Sequence, residues 1–182
     1  MKTITCLVAL GIAASVGWGQ QTRKEVTKSI SAVEDSKLNS SEVPDVIALP
    51  GQFSRILVLR FKYDTDLLAG LEKKVKEEKI KNAVILAGAG SVRNYNFHVV
   101  SNRTFPSKNM YVSDPSGPAD IASMNGYVID GRVHTHLTMT NADKAFGGHL
   151  EAGTTVYTFA VVTLGVFADD MDLSRVDDKT FR

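Results

Sequence analysis

One cysteine, one tryptophan and a formal net charge of +1 in 182 residues set the first limits on this chain. The cysteine is Cys6 and the tryptophan is Trp18, both ahead of any segment with the pattern of a fold. Disulfide frameworks, thiolate zinc sites and thiolate nucleophiles are therefore excluded from the body of the protein. Lysine and arginine total 21 against 20 acidic residues, and Lys2 lies in the same opening stretch, which leaves 20 of each sign beyond it. A balanced chain projects no global field toward nucleic acid or an anionic membrane. The opening apolar run, Ile4 to Val16, covers about 13 residues, too few to span a bilayer comfortably.

That run has a different reading. Met1-Lys2-Thr3 is a short basic start, and Gly17 and Gly19 put small residues at the −3 and −1 positions before Gln20. Residues 1–19 read as a secretory signal peptide, so the protein is expected to be exported, to the periplasm or outside the cell. Cys6 lacks the small-residue context of a lipidated cysteine. Cleavage removes Cys6, Trp18 and Lys2 together.

Residues 20–50 are polar, serine-punctuated and weakly patterned, and read as a solvated linker with a short helix near Glu25 to Val33. The domain is expected over residues 51–175, with a tail over 176–182 and an acidic, frayed stretch beginning at Ala168. About 130 residues past the linker suffice for an adequate core. Arg55 to Tyr63 is dense in β-branched and aromatic residues and predicts a strand. Asp64 and Thr65 are candidate N-caps for a helix in which Leu67, Leu68, Leu71 and Val75 recur at helical spacing through Lys79. Ala83 to Leu86 and Val92 to Val100 predict two further strands, separated by Gly88-Ala89-Gly90-Ser91. Asn102 to Pro118 reads as a turn-rich excursion. Asp120 to Val128 and Arg132 to Met139 predict a hairpin closed by Ile129-Asp130-Gly131. Gly153 to Phe167 is the longest β-like run. One main helix followed by a succession of strands is an α+β pattern on a largely antiparallel sheet.

The chain carries four histidines, and three of them have a telling spacing. His134 and His136 flank Thr135 on a predicted strand, so both face one side with bases about 7 Å apart. A short loop, Thr140 to Lys144, then brings the chain back to His149 in Gly147-Gly148-His149-Leu150. Three imidazoles without a fourth protein ligand make an open metal site, with one position left for water or substrate. Satisfied polar residues on a sheet face are the plain alternative. Zinc suits such a set best, though iron, nickel and copper also take nitrogen ligands. His98 has no partner at ligand spacing and is expected to be structural or superficial. Glu151 and Asp143 are the nearby acid–base candidates, each with a surface carboxylate as its plainer reading. Arg132, two residues before His134, is placed either to hold a substrate carboxylate or to pair with an acid across the sheet.

Two other motifs are weaker. Gly88-Ala89-Gly90-Ser91 follows a strand but precedes another strand, so a bend or bulge is expected rather than a phosphate cradle. Lys73, Lys74, Lys76, Lys79 and Lys81 interleave with Glu72, Glu77 and Glu78, the signature of a solvated helix face rather than a nucleic-acid surface.

The glycine-rich turn, the Val133-His134-Thr135-His136 pair and the Gly-Gly-His-Leu block followed by Gly153 to Ala160 together resemble the plants-and-prokaryotes-conserved (PPC) domain. The resemblance runs from about Gly51 to about Arg175. It implies a compact α+β unit that assembles as a homotrimer, and it brings a DNA-binding label, because plant members accompany AT-hook segments. This chain has no Arg-Gly-Arg-Pro core, and an export leader would part it from the chromosome. The fold implied is also similar to that of acetolactate decarboxylase, in which an HxH pair and a later histidine hold zinc. That similarity implies a ligand role for His134, His136 and His149; it carries no acid–base residue to this chain. The expectation is an exported homotrimer with a three-histidine metal site, acting on or binding a small molecule, with no membrane partner. A DNA-binding module and a trimer merely stapled by its metal are the alternatives.

Overall fold

The computed structural model describes residues 19–27, 44–104 and 106–176. The expected leader lies outside them up to residue 18, as do 28–43 of the expected linker and the tail from 177. Among the described residues, eight strands and one α-helix follow in order, with a short 3-10 turn at Ser174–Val176 after them: β1 (Thr22–Thr27), β2 (Phe53–Lys62), α1 (Leu67–Glu77), β3 (Ala83–Val100), β4 (Lys108–Asp114), β5 (Ala119–Ile129), β6 (Arg132–Thr140), β7 (Ala145–Leu150) and β8 (Thr155–Phe167). Among the described residues, no helix is long and apolar enough to cross a membrane. The expected α+β class, one helix on a large antiparallel sheet, is what the chain adopts.

β3 organises the sheet. Its first half lies between β5 and β8, and its second half between β4 and β7. Because β5 pairs β6, β6 pairs β7 and β7 returns to β3, four strands close a ring. The interior of that ring is Val92, Phe97, Ile121, Met124, Val128, Leu137, Met139 and Leu150, all buried. Inward residues alternate with outward ones along each strand, so His134 and His136, which flank buried Thr135, stand outside.

α1 covers one end of the core with Leu67, Leu71 and Val75, the buried positions of its apolar stripe. Its cap is Asp66, not Asp64 or Thr65: the Asp66 carboxylate accepts from Ala69 N–H at 2.9 Å. Asp64 is spent on the preceding turn, at φ 63°. The lysine-rich face pairs within the helix, Lys74 with Glu77 at 2.5 Å and Lys73 with Glu77 at 3.8 Å. The β5–β6 hairpin turns as predicted, with Asp130 and Gly131 both at positive φ.

Four further expectations change. β3 is one strand rather than two; the glycine segment is absorbed as register shifts against β8. The turn-rich excursion contains β4, whose Met110-Tyr111-Val112 centre is flanked by prolines that stay out of the ladder. Residues 22–27 are a strand rather than linker, because β4 offers an edge for them to pair with, and the short helix expected near Glu25 to Val33 lies mostly outside the described residues. The start of the acidic tail is packed: Met171 and Leu173 are buried, and Met171 O accepts from the buried Asn82 side chain at 2.7 Å.

Candidate metal centre

All four histidines of the chain meet on the outer face of the closed ring. His134 and His136 come from β6, His149 from β7 and His98 from the second half of β3. The register makes this possible, since His136 stands opposite His149, and His149 opposite His98. Buried Thr135 holds β6 in place, its Oγ1 donating to Asn125 O at 2.8 Å, so that its two neighbours turn outward. Ring centroids lie 5.4 Å apart for His134–His136, 4.8 Å for His134–His149 and 5.2 Å for His136–His149.

One ligand nitrogen from each of these three rings falls within 4.8 Å of the others. A tetrahedral zinc ion holding nitrogens at 2.0–2.1 Å needs them about 3.4 Å apart. The two exposed β6 rings can turn toward the half-buried His149 to make up that difference, so the donor set fits a divalent ion and leaves a position open.

The Thr140 to Lys144 loop brings the chain back as expected, His149 stands on the strand that follows it, and the two glycines before it explain how. β7 lies between β6 and β3, with Gly147 against Thr138, Gly148 against Leu137 and His149 against His98. Gly147 has φ 156°, and a Cβ there would collide with the Leu137 carbonyl oxygen; one on Gly148 would meet the His98 carbonyl oxygen. Only residues without side chains let β7 enter this slot.

His98, expected to be structural or superficial, joins the site. Its ring stacks on His149 at 4.6 Å, and its Nδ1–H donates to Glu151 Oε1 at 2.5 Å. Glu151 is thus at the site, against the plainer expectation of a surface carboxylate. It is anchored by its own N–H donating to Asn96 O at 3.1 Å, beside buried Thr154, whose Oγ1 accepts from Asn96 N–H at 2.9 Å. His98, His149 and Glu151 form a second cluster of possible ligands sharing His149. Asp143 belongs to neither cluster; it lies exposed in the β6–β7 turn, where Asn141 Oδ1 accepts its N–H at 3.0 Å. Arg132 lines a groove with Glu72, Val75, Lys76 and Lys79 of α1 and its exit. A single signal could have revealed His98: its alternation with Phe97 places it on the outer face, but the strand opposite was not readable.

Sequence comparison decides the family. The family model of the Plants and Prokaryotes Conserved (PCC) domain matches residues 48–168. The chain belongs to that family. No curated protein matches the chain at a meaningful level. Among solved structures, several share the fold. A plant- and prokaryote-conserved protein from Pyrococcus horikoshii aligns with TM-score 0.56 at 23% identity, over 68% of this chain and 87% of that one. A metal-containing protein from Archaeoglobus fulgidus aligns with TM-score 0.55 at 21% identity, over 66% and 86%. A candidate DNA-binding protein from Bacteroides thetaiotaomicron aligns with TM-score 0.54 at 15% identity, over 65% and 82%. At these identities the PCC likeness establishes architecture, and the chemistry has to be argued from the site.

The electrostatics of this PCC site favour neutral rings. Burial lowers the His149 pKa to about 4, helped by His98, His134 and His136. Burial also lowers that of His136, followed by His134 and His98. Neutral imidazole is the form that binds metal. A prediction follows for the metal-free protein. Between about pH 4 and pH 6.5 the unfolded chain binds a proton that folded His149 refuses, so stability falls as pH drops through that window and has no further slope from this group below it. Allowing for solvent screening of a half-exposed ring, the loss is about 1–2 kcal/mol. Urea midpoints at pH 7 and pH 4.5 with chelator present check it, and the His149→Ala variant should lose much of the difference. Equal wild-type midpoints at the two pH values would contradict it.

Proposed function

We propose that this PCC protein binds a divalent metal, zinc in the first place, through His134, His136 and His149, and uses the open position to bind or transform a small molecule. The convergence of three strand-borne imidazoles, within 4.8 Å at their nitrogens, is the observation that carries this reading. A divalent ion bound there would supply Lewis acidity and acidify a bound water, the chemistry of hydrolytic or lyase-type reactions. The chain's own residues have distinct tasks. Glu151 accepts from His98 Nδ1–H and fixes that ring's tautomer. His98, so fixed, packs flat on His149 and limits how far that ring can turn. Elemental analysis of the purified protein should find about one ion per chain, and anomalous scattering should place it between the three imidazoles. Protein that stays metal-free when dialysed against zinc would overturn the proposal.

The remaining expectations join the proposal. Export by the leader over residues 1–19 fits the absence of cysteine beyond it. Assembly as a homotrimer is proposed through the outer face of β2, β8 and β3, where Ile56, Val58, Leu86, Tyr157 and Phe159 are about half exposed or more. Val58→Asp with Phe159→Asp should then yield monomers in sedimentation; an unchanged mass for the double variant, or a monomeric parent, would refute it. DNA binding fits the label that the family resemblance brings and the name of one structural neighbour. The even balance of 20 basic and 20 acidic residues past the leader gives it no electrostatic support. Duplex binding at low salt that weakens steeply as salt rises would favour it instead.

A further inference from the structure

The histidine row is longer than the histidines. His136 on β6 stands opposite His149 on β7, His149 opposite His98 on β3, His98 opposite Tyr111 on β4, and Tyr111 opposite Lys24 on β1. Directly opposed residues in antiparallel pairs project from the same face. Five strands therefore contribute five side chains to one line on one side of the sheet. The Tyr111 ring lies 5.0 Å from the His98 ring, which continues the stack that His98 makes with His149.

The orientation of β1 is fixed by its other face. Glu25 accepts from Ser101 Oγ at 2.9 Å and pairs with Lys108 Nζ at 3.4 Å. Gln21 Nε2 donates to Tyr95 OH at 3.0 Å. Residues 21 and 25 thus turn to the side of Tyr95, and Lys24 turns to the side of the histidines. Adjacent strands are about 4.8 Å apart, so along the row the Lys24 backbone is three spacings, roughly 14 Å, from that of the ligand His149, and an extended lysine stem covers nearly half of that. Lys24 is the one formally cationic side chain in the row.

We propose that Lys24 is the anion-binding arm of the histidine site and selects small carboxylate ligands. One carboxylate oxygen or neighbouring polar atom of the ligand occupies the ion's open position; the anionic end pairs with the Lys24 ammonium across the Tyr111 ring. This rests on the metal reading above. The short reach between Lys24 and the imidazoles restricts the ligand to a few carbons. It also gives β1 a function: the strand completes the site as well as covering the edge of β4.

Calorimetric titration of the purified protein with malonate, and with neutral malonamide as control, tests the assignment. Zinc content is read first for every variant. In the zinc-loaded protein malonate should bind and malonamide should not. Lys24→Met should weaken malonate binding about tenfold or more while zinc content stays unchanged, and Lys24→Arg should restore most of it. Equal malonate affinity in wild type and Lys24→Met, or no malonate binding by zinc-loaded wild type, would overturn the proposal. Should the wild type take up no zinc, the metal reading falls, and the same titration on the metal-free chain judges Lys24 separately. A tenfold dependence on Lys24 there supports the anion-binding arm, and no dependence removes it.

Discussion

Changing His134 and His136 together to alanine should leave the protein without bound metal, and His149→Ala alone should weaken metal binding by at least about a hundredfold. The three nitrogens are the whole of the proposed first coordination sphere, so removing one leaves two ligands and water. His149 has the largest expected single effect because it faces both β6 partners, at 4.8 and 5.2 Å between centroids. It is also the most shielded of the three, so its metal bond competes least with solvent. His98→Ala should behave differently. It removes the ring stacked on His149 and frees Glu151, but removes no ligand from the triad, so metal should be retained with affinity reduced about ten- to hundredfold. Competition with a chromogenic chelator reads all three variants and the wild type on one scale. Equal metal content in the His134/His136 double variant and the wild type would sink the three-histidine assignment.

The second large effect concerns a residue with no chemistry. Gly147→Val should destabilise the fold by about 3 kcal/mol or more and abolish metal binding with it. At φ 156° a β-branched residue is strained, and its Cβ is driven into the Leu137 carbonyl oxygen across the β6–β7 ladder. The strand cannot shift sideways to escape, because β3 holds its other edge through Phe97–Leu150 and His98–His149. Relief comes only from parting β7 from β6, which carries His149 away from His136. A urea melt followed by metal analysis checks both parts. An unchanged midpoint would mean that β7 is not held in the slot described.

How much of this could be read beforehand depends on where the cause lies. The HxH pair was legible because alternation along a single strand is a local property, and Thr135 between the two rings needs only to be buried. The β5–β6 hairpin was legible for a similar reason, since Asp130-Gly131 carries its own turn chemistry. His98 was not. Its meeting with His149 and Glu151 is a pairing across more than fifty residues, created when β7 closes the ring onto β3. β1 was hidden still more thoroughly: its sequence, Thr22–Thr27, has no apolar stripe, and its strand exists because β4 presents an open edge. Gly147-Gly148 was visible as a motif, but its reason appears only when both flanking strands are in place. Propensity and pattern thus recovered the class and most elements, while sheet closure decided who stands beside whom.

Every one of these imidazoles is borne by backbone already tied into a hydrogen-bonded ladder. Nothing has to swing, unlatch or order itself before an ion arrives; rings rotating about their own bonds on the nanosecond scale are enough. Loading and unloading should then keep pace with how quickly the surrounding chelators hand the ion over, and the protein would behave as an open berth rather than a locked vault.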